Sequence, residues 1–204
     1  MLTKIAVLVS GGGTNLQALI DAQKKGIIKS GEIKLVVSNN PDAYALERAK
    51  NNGILTAVVN KKECASQEDF EKKLIDILDE NEADLIILAG FMCILSENFT
   101  KRYPKRIINV HPSLIPSFCG KGFYGLRVHE AALDYGVKVT GATVHFVNEI
   151  PDGGEIIAQK AVDILPGDDA LTLQRRVMEN AEWIILPDAA EIVSKQIMNE
   201  RNNR

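Results

Sequence analysis

Asn109 and His111 stand two residues apart in the stretch NVHPSLIP, residues 109–116, directly after the apolar run RII. Alternate residues of a strand project to one side, so the two side chains would face the same way. An imidazole can donate, accept or carry a proton near neutral pH, and an asparagine amide can donate to a developing oxyanion. Pro112 and Pro116 restrain the chain just beyond. The plainer reading is a hydrogen-bonded histidine closing a strand. For an isolated histidine it is the stronger one, since site residues are few in any fold.

A second candidate is PDGG, residues 151–154. This is ideal turn chemistry and needs no function to explain it. It nevertheless lies between two predicted strands that extend the sheet, so Asp152 could reach the same edge. A carboxylate there would orient the imidazole and favour its charged form, while His111 and Asn109 stabilise an oxyanion. No serine or cysteine nucleophile is evident: Cys119 sits in a loop with no second histidine paired to it in sequence. The attacking group would then come from the substrate. His111, His129 and His145 show no H-x-H or H-x-x-x-H spacing, so no metal site is expected.

The third candidate is SGGGTNLQAL, residues 10–19, joining a strand to a helix. Glycines let backbone N–H groups approach an anion, and a helix N-terminus adds unpaired donors and a favourable dipole. A merely tight strand-to-helix turn is the alternative. There is no Walker loop, and the pattern from Gly11 is G-x-G-x-x-L, with Leu16 where a dinucleotide site wants its third glycine. The second strand ends in Ser38-Asn39-Asn40 rather than an acidic residue. A single ribonucleotide phosphate therefore fits better than a pyrophosphate.

The elements that must position these groups alternate. Apolar, β-branched runs at residues 4–9, 33–38, 55–59, 84–90 and 106–110 read as strands. Helical patterns at 15–23 and 43–52 separate the first three, and Gly53 closes the second helix. Residues 66–69, Ser-Gln-Glu-Asp, open a third helix as a capping-box-like start, with Phe70, Leu74, Ile77 and Leu78 on one face. This order implies right-handed crossovers and a mostly parallel sheet with helices on both faces. Residues 137–147 and 155–164 then read as strands separated only by 148–154, which suits an antiparallel hairpin. Helical sequence over 168–198, interrupted at Pro187, completes the pattern. The predicted fold is a single α/β domain over 1–204, Rossmann-like, with an antiparallel C-terminal strand pair. Ligands in such sheets collect beyond the carboxyl ends of the strands, here after strands one, four and five.

Composition bounds the partners. The 204 residues are 46% hydrophobic and 25% charged, with a net charge of −3. That gives no basic surface for nucleic acid or anionic membrane. No apolar segment is long enough to span a bilayer, and MLTKIAVLVSGGG runs into glycines rather than a signal-peptide cleavage site. Cys64, Cys93 and Cys119 are far apart and odd in number, so reduced thiols and a cytoplasmic location are expected.

NVHPSLIP, LAGFMCILS, SGGGTNLQAL and HFVNEIPDGG together resemble the phosphoribosylglycinamide formyltransferases, folate-dependent enzymes of purine biosynthesis. The resemblance covers essentially the whole chain. N-x-H-P-S-L-x-P marks the wider formyltransferase superfamily, and the glycine loop and chain length select this member. Methionyl-tRNA formyltransferases carry an additional C-terminal domain, and formyltetrahydrofolate deformylases an N-terminal one. The resemblance implies transfer of the formyl group of 10-formyltetrahydrofolate to the amine of glycinamide ribonucleotide, by direct attack and without a metal. It implies two small-molecule partners and a monomer or homodimer. It assigns Asn109, His111 and Asp152 to catalysis. It gives Gly12, Gly13, Thr14 and Asn15 to the ribonucleotide phosphate, and Glu182 to the glycinamide end. Met92, Cys93, Ile94 and Leu95, with Val147, Asn148, Glu149 and Ile150, would line the folate pocket. Without the resemblance, residues 92–95 read as ordinary core and Glu182 as a solvated helix charge.

Two departures stand out. Cys93 occupies a position where many members have arginine, and residues 117–125 are longer than the commoner loop, adding Gly120-Lys121-Gly122. Lys121 could contact a phosphate, though a solvated loop lysine is the simpler account. Other readings stay open. A folate-dependent hydrolase or sugar-amine formyltransferase would share the catalytic triplet without needing the phosphate loop. An NAD oxidoreductase is opposed by Leu16 and Asn39, and a non-catalytic ribonucleotide-binding module leaves the triplet idle.

Overall fold

The computed structural model describes residues 1–203. Seven strands form one sheet: β1 (Thr3–Val9), β2 (Gly31–Ser38), β3 (Leu55–Val58), β4 (Leu85–Leu88), β5 (Ile107–His111), β6 (Val139–Phe146) and β7 (Ile156–Asp163). Their order is β3-β2-β1-β4-β5-β6-β7. The first five are parallel, while β6 pairs antiparallel with both β5 and β7 and so alone runs against the rest.

Strand alternation builds two cores. Ile5, Val7 and Val9 of β1 and Leu85 and Ile87 of β4 enter one apolar cluster, while Ala6, Leu8, Ile86 and Leu88 enter the other. The first cluster takes Leu16 and Leu19 from α1 (Thr14–Lys24), Ala45 and Ala49 from α2 (Tyr44–Asn51), and residues near the C-terminus. The second takes Phe70, Leu74 and Leu78 from α3 (Gln67–Glu80) and Phe99 from α4 (Glu97–Arg102). Each fully buried Leu, Ile or Phe contributes roughly 1.5–3 kcal/mol. The start of α3 is fixed by Ser66, whose hydroxyl accepts from the N–H of Asp69.

The structure departs from the sequence expectations in two places. Neither α4 nor α5 (Leu126–Tyr135) was expected. The C-terminal helical stretch is α6 (Ala170–Val177), a π-helical segment Met178–Glu182, and α7 (Trp183–Asn202), which runs through Pro187. The interruption therefore precedes Pro187, because the wider turn relaxes the backbone bonding that a proline would otherwise break. β6 and β7 form the expected antiparallel pair, joined through residues 147–155. Phe146 pairs with Ile108, so the chain leaves β6 beside the start of β5 and must double back to reach its end. Among the described residues no helix is long and apolar enough to cross a membrane.

Candidate functional site

Asn109 and His111 share one face at the end of β5, and antiparallel pairing places His145 opposite Asn109 and Thr143 opposite His111. Asn109 Nδ2 lies 3.2 Å from His145 Nε2, and His145 Nδ1 lies 2.8 Å from the carbonyl of Phe146. A carbonyl can only accept, so Nδ1 carries a proton, and in that tautomer Nε2 accepts from the Asn109 amide. That fixes which way the amide points and leaves its second N–H available. In the β6–β7 pairing the register shifts between Val144 and His145, with the extra residue, Ile157, on β7.

Asp152 comes to the same place from the doubled-back connection. Its backbone is left-handed, with φ of 56°, and a Cβ on Gly154 would lie 1.7 Å from the Phe146 carbonyl oxygen. The PDGG sequence is therefore required by the backbone path. Asp152 Oδ2 accepts from Gly120 N–H at 2.8 Å and lies 3.6 Å from His111 Nδ1, while Oδ1 lies 3.6 Å from His145 Nε2. Burial opposes the charge, but a proton on the His145 or His111 nitrogen that faces it, together with the Gly120 N–H, holds the Asp152 carboxyl below the usual range.

His111 is pulled in opposite directions. Burial pushes its pKa below the ordinary value, against the upward pull of Asp152 and the Phe118 carbonyl. In the resting protein desolvation is the larger influence and favours the neutral ring, while Asp152 pulls it toward the charged form. Its Nε2 lies 2.9 Å from the Phe118 carbonyl and donates to it. Nδ1 is then the unprotonated nitrogen, facing Asp152, and an arriving proton would bridge the two. Residues 117–125 engage both groups through Phe118 and Gly120, while Lys121 is exposed.

His129, on α5, is fully buried with neither ring nitrogen hydrogen-bonded. Burial, then the nearby His111, pushes its pKa down to about 4. A free imidazole titrates near 6.5, so the unfolded chain takes up a proton that the folded one refuses. Stability is complete above that unfolded value and is lost as pH falls toward the folded one. Unfolding in urea at about pH 7 and about pH 5 should differ by about 2 kcal/mol. The same comparison with His129→Leu should show a smaller loss, and equal losses in both proteins would contradict this account.

The glycine loop ends in Gly13, which caps α1 at φ of 72° and whose added Cβ would lie 2.6 Å from the Cβ of Ala45. Its carbonyls point away from the helix N-terminus: Gly11 C=O accepts from Ala45 N–H at 3.0 Å and Gly12 C=O from Arg48 Nε at 2.8 Å. No backbone bond among the described residues uses the N–H groups of Gly11, Gly12 or Gly13. With no acidic residue in the first turn of α1, this end suits an anion. Thr14 donates to the Met178 sulfur at 3.8 Å, and Asn15 donates to Glu182 Oε2 at 2.7 Å. Glu182 is no solvated charge. The π-helical segment turns it inward to 5% exposure, and burial pushes its pKa up to about 7 despite the Asn15 bond.

The remaining segments meet beside β4 and β6. Cys93, Leu95 and Val147 pack on the second core cluster. Burial pushes the Cys93 thiol pKa up, and Asn39 Nδ2 donates to its sulfur at 2.9 Å. Met92 and Ile94 are exposed, as is Ile150, so within residues 92–95 core and surface positions alternate. Glu149 is exposed, and Asn148 Oδ1 accepts from Ile150 N–H. Sequence reasoning passed over His145 and Arg48. Alternation in TVHFV puts His145 on one face with Thr143, a usable signal, but only the register puts it opposite Asn109. No group of residues that could hold a metal occurs among the described residues.

The family model described as Formyl transferase matches residues 3–190. Phosphoribosylglycinamide formyltransferase of Haemophilus influenzae is 42% identical over 186 residues, covering 91% of this chain and 84% of that protein. The trifunctional purine biosynthetic protein adenosine-3 of Gallus gallus is 46% identical over 94% of this chain, which spans only 18% of that relative's length. Glycinamide ribonucleotide transformylase 1 from Symbiobacterium toebii superposes with a TM-score of 0.89 at 39% identity, over 96% of this chain and 89% of that one. The corresponding protein from Geobacillus kaustophilus gives 0.87 at 34% identity, over 95% of this chain and 100% of that one.

Proposed function

The chain belongs to the formyl transferase family, and on that premise we propose that it is a phosphoribosylglycinamide formyltransferase acting in purine biosynthesis. Its substrates are 10-formyltetrahydrofolate and glycinamide ribonucleotide. The observation that carries the reading is the gathering of Asn109, His111 and Asp152 at the end of β5, next to His145. The glycyl amine attacks the formyl carbon, and the carbonyl electrons move onto oxygen. The free N–H of the Asn109 amide stabilises that oxyanion. The amine proton passes to neutral His111, and Asp152 stabilises the imidazolium so formed. Collapse expels the folate nitrogen, which takes a proton back.

In this reading Gly12, Gly13, Thr14 and Asn15 hold the phosphate and Glu182 the glycinamide end. The segments 92–95 and 147–150 line the folate pocket. The partners are small molecules rather than nucleic acid, the active form is a monomer or homodimer, and the place of work is the cytoplasm. Three free thiols are consistent with that compartment. The decisive assay supplies 10-formyltetrahydrofolate with and without the ribonucleotide and follows deformylated folate. Turnover only with the ribonucleotide is expected, and equal turnover without it would mean a hydrolase. A narrower expectation concerns Glu182→Gln, which keeps the shape and removes the charge. It should raise KM for the ribonucleotide by about tenfold and leave KM for the formyl donor unchanged. Steady-state kinetics with each substrate varied would expose an equal rise in both, contrary to the assignment.

A further inference from the structure

Residues 90–95, between β4 and α4, make no backbone–backbone hydrogen bond at all among the described residues. Side chains alone hold this strap. Ser10 Oγ accepts from Met92 N–H at 2.8 Å, and Asn39 holds Cys93 by its sulfur. The far end is fixed from α3. Gln67 Nε2 donates to the Ile94 carbonyl at 3.1 Å and to Glu71 Oε1 at 2.6 Å. Glu71 in turn accepts from Ser96 N–H at 2.6 Å and from the Ser96 hydroxyl, which also caps α4.

Glu71 is 5% exposed, and all three of its bonds come from neutral donors. Burying a carboxylate without a cation is unfavourable, so the position is not explained by docking α3. Phe70, Leu74 and Leu78 already perform that docking. What an apolar residue could not supply is orientation of a bare backbone. The strap must hold Met92 and Ile94 out of the core, with the Cys93 and Ile94 N–H groups free for a ligand.

We propose that Glu71 and Gln67 are positioning residues for the formyl donor, clamping the strap at residues 94–96 so that its backbone is preset to receive the folate ring. This rests on the functional reading above, which places residues 92–95 in the folate pocket. Gln67→Ala removes only the clamp's outer bonds and leaves the α3 core face intact, and Glu71→Gln keeps the side-chain shape. Both should raise KM for 10-formyltetrahydrofolate, by about tenfold for Glu71→Gln, with kcat and KM for the ribonucleotide within about twofold of the original. Both should also speed amide hydrogen exchange selectively at Ser96 and Met92, the amides of this segment that have hydrogen-bond partners. Unchanged exchange there, an unchanged donor KM, or equal rises in both KM values would overturn the clamp. If the unsubstituted protein transfers no formyl group, the functional reading fails instead, and the exchange measurement alone decides whether the clamp exists.

Discussion

Asp152→Asn is expected to lower kcat by about 10³-fold while moving either KM by less than about threefold. The substitution keeps the volume and still offers an oxygen to the Gly120 N–H, so the loop over the site should stay in place. What it removes is the negative charge 3.6 Å from His111 Nδ1, where the proton would arrive. Burial already disfavours a charged His111, so the imidazolium depends heavily on that carboxylate. With its oxygen kept on the Gly120 N–H, the amide turns its NH2 toward His145 Nε2, where it competes with the Asn109 amide. Single-turnover measurements with both substrates saturating would isolate the step. A loss of less than about tenfold would remove Asp152 from the mechanism.

His111→Ala should cost about 10²–10³-fold in kcat, again with little change in substrate binding. Its pH signature is more specific than its size. His111 must be neutral to accept the amine proton, and burial depresses its pKa, so activity should persist below the usual histidine range. The acid limb of kcat should then fall as pH drops through that depressed value, and His111→Ala should flatten it. Asp152, also held below its ordinary range, stays ionised throughout this window. An acid limb that survives in the alanine variant would assign it to another group.

The central parallel strands were readable because burial on both faces demands continuous apolar runs, which LIIL and IINV supply. Asn109 and His111 were readable as a pair because their spacing matches strand alternation. Asp152 was readable only as a possibility, since nothing local to PDGG tells that the chain doubles back. His145 was missed because its meeting with Asn109 depends on a register between residues 36 apart. Glu182 was readable only through the resemblance: its neighbours Glu179 and Asn180 are exposed, and only the π-helical turn rotates it inward. Met92 and Ile94 likewise read as core without the resemblance. Apolar residues are expected inside, and here two of them are held out by polar anchors.

The doubled-back connection after β6 has a mechanical consequence. Val147, Asn148, Glu149 and Ile150 lie on the same short span as Asp152, tethered at one end by Val147 N–H to the Ile107 carbonyl and at the other by the Gly154 approach to Phe146. Under the proposed reading, the pocket wall that feels the folate and the carboxylate that serves His111 are one lever with two fixed ends. Pressure from a bound donor on the span is transmitted to the angle of Asp152. Changes within it should therefore shift donor affinity and turnover together, whereas the strap on the facing side can be altered for affinity alone.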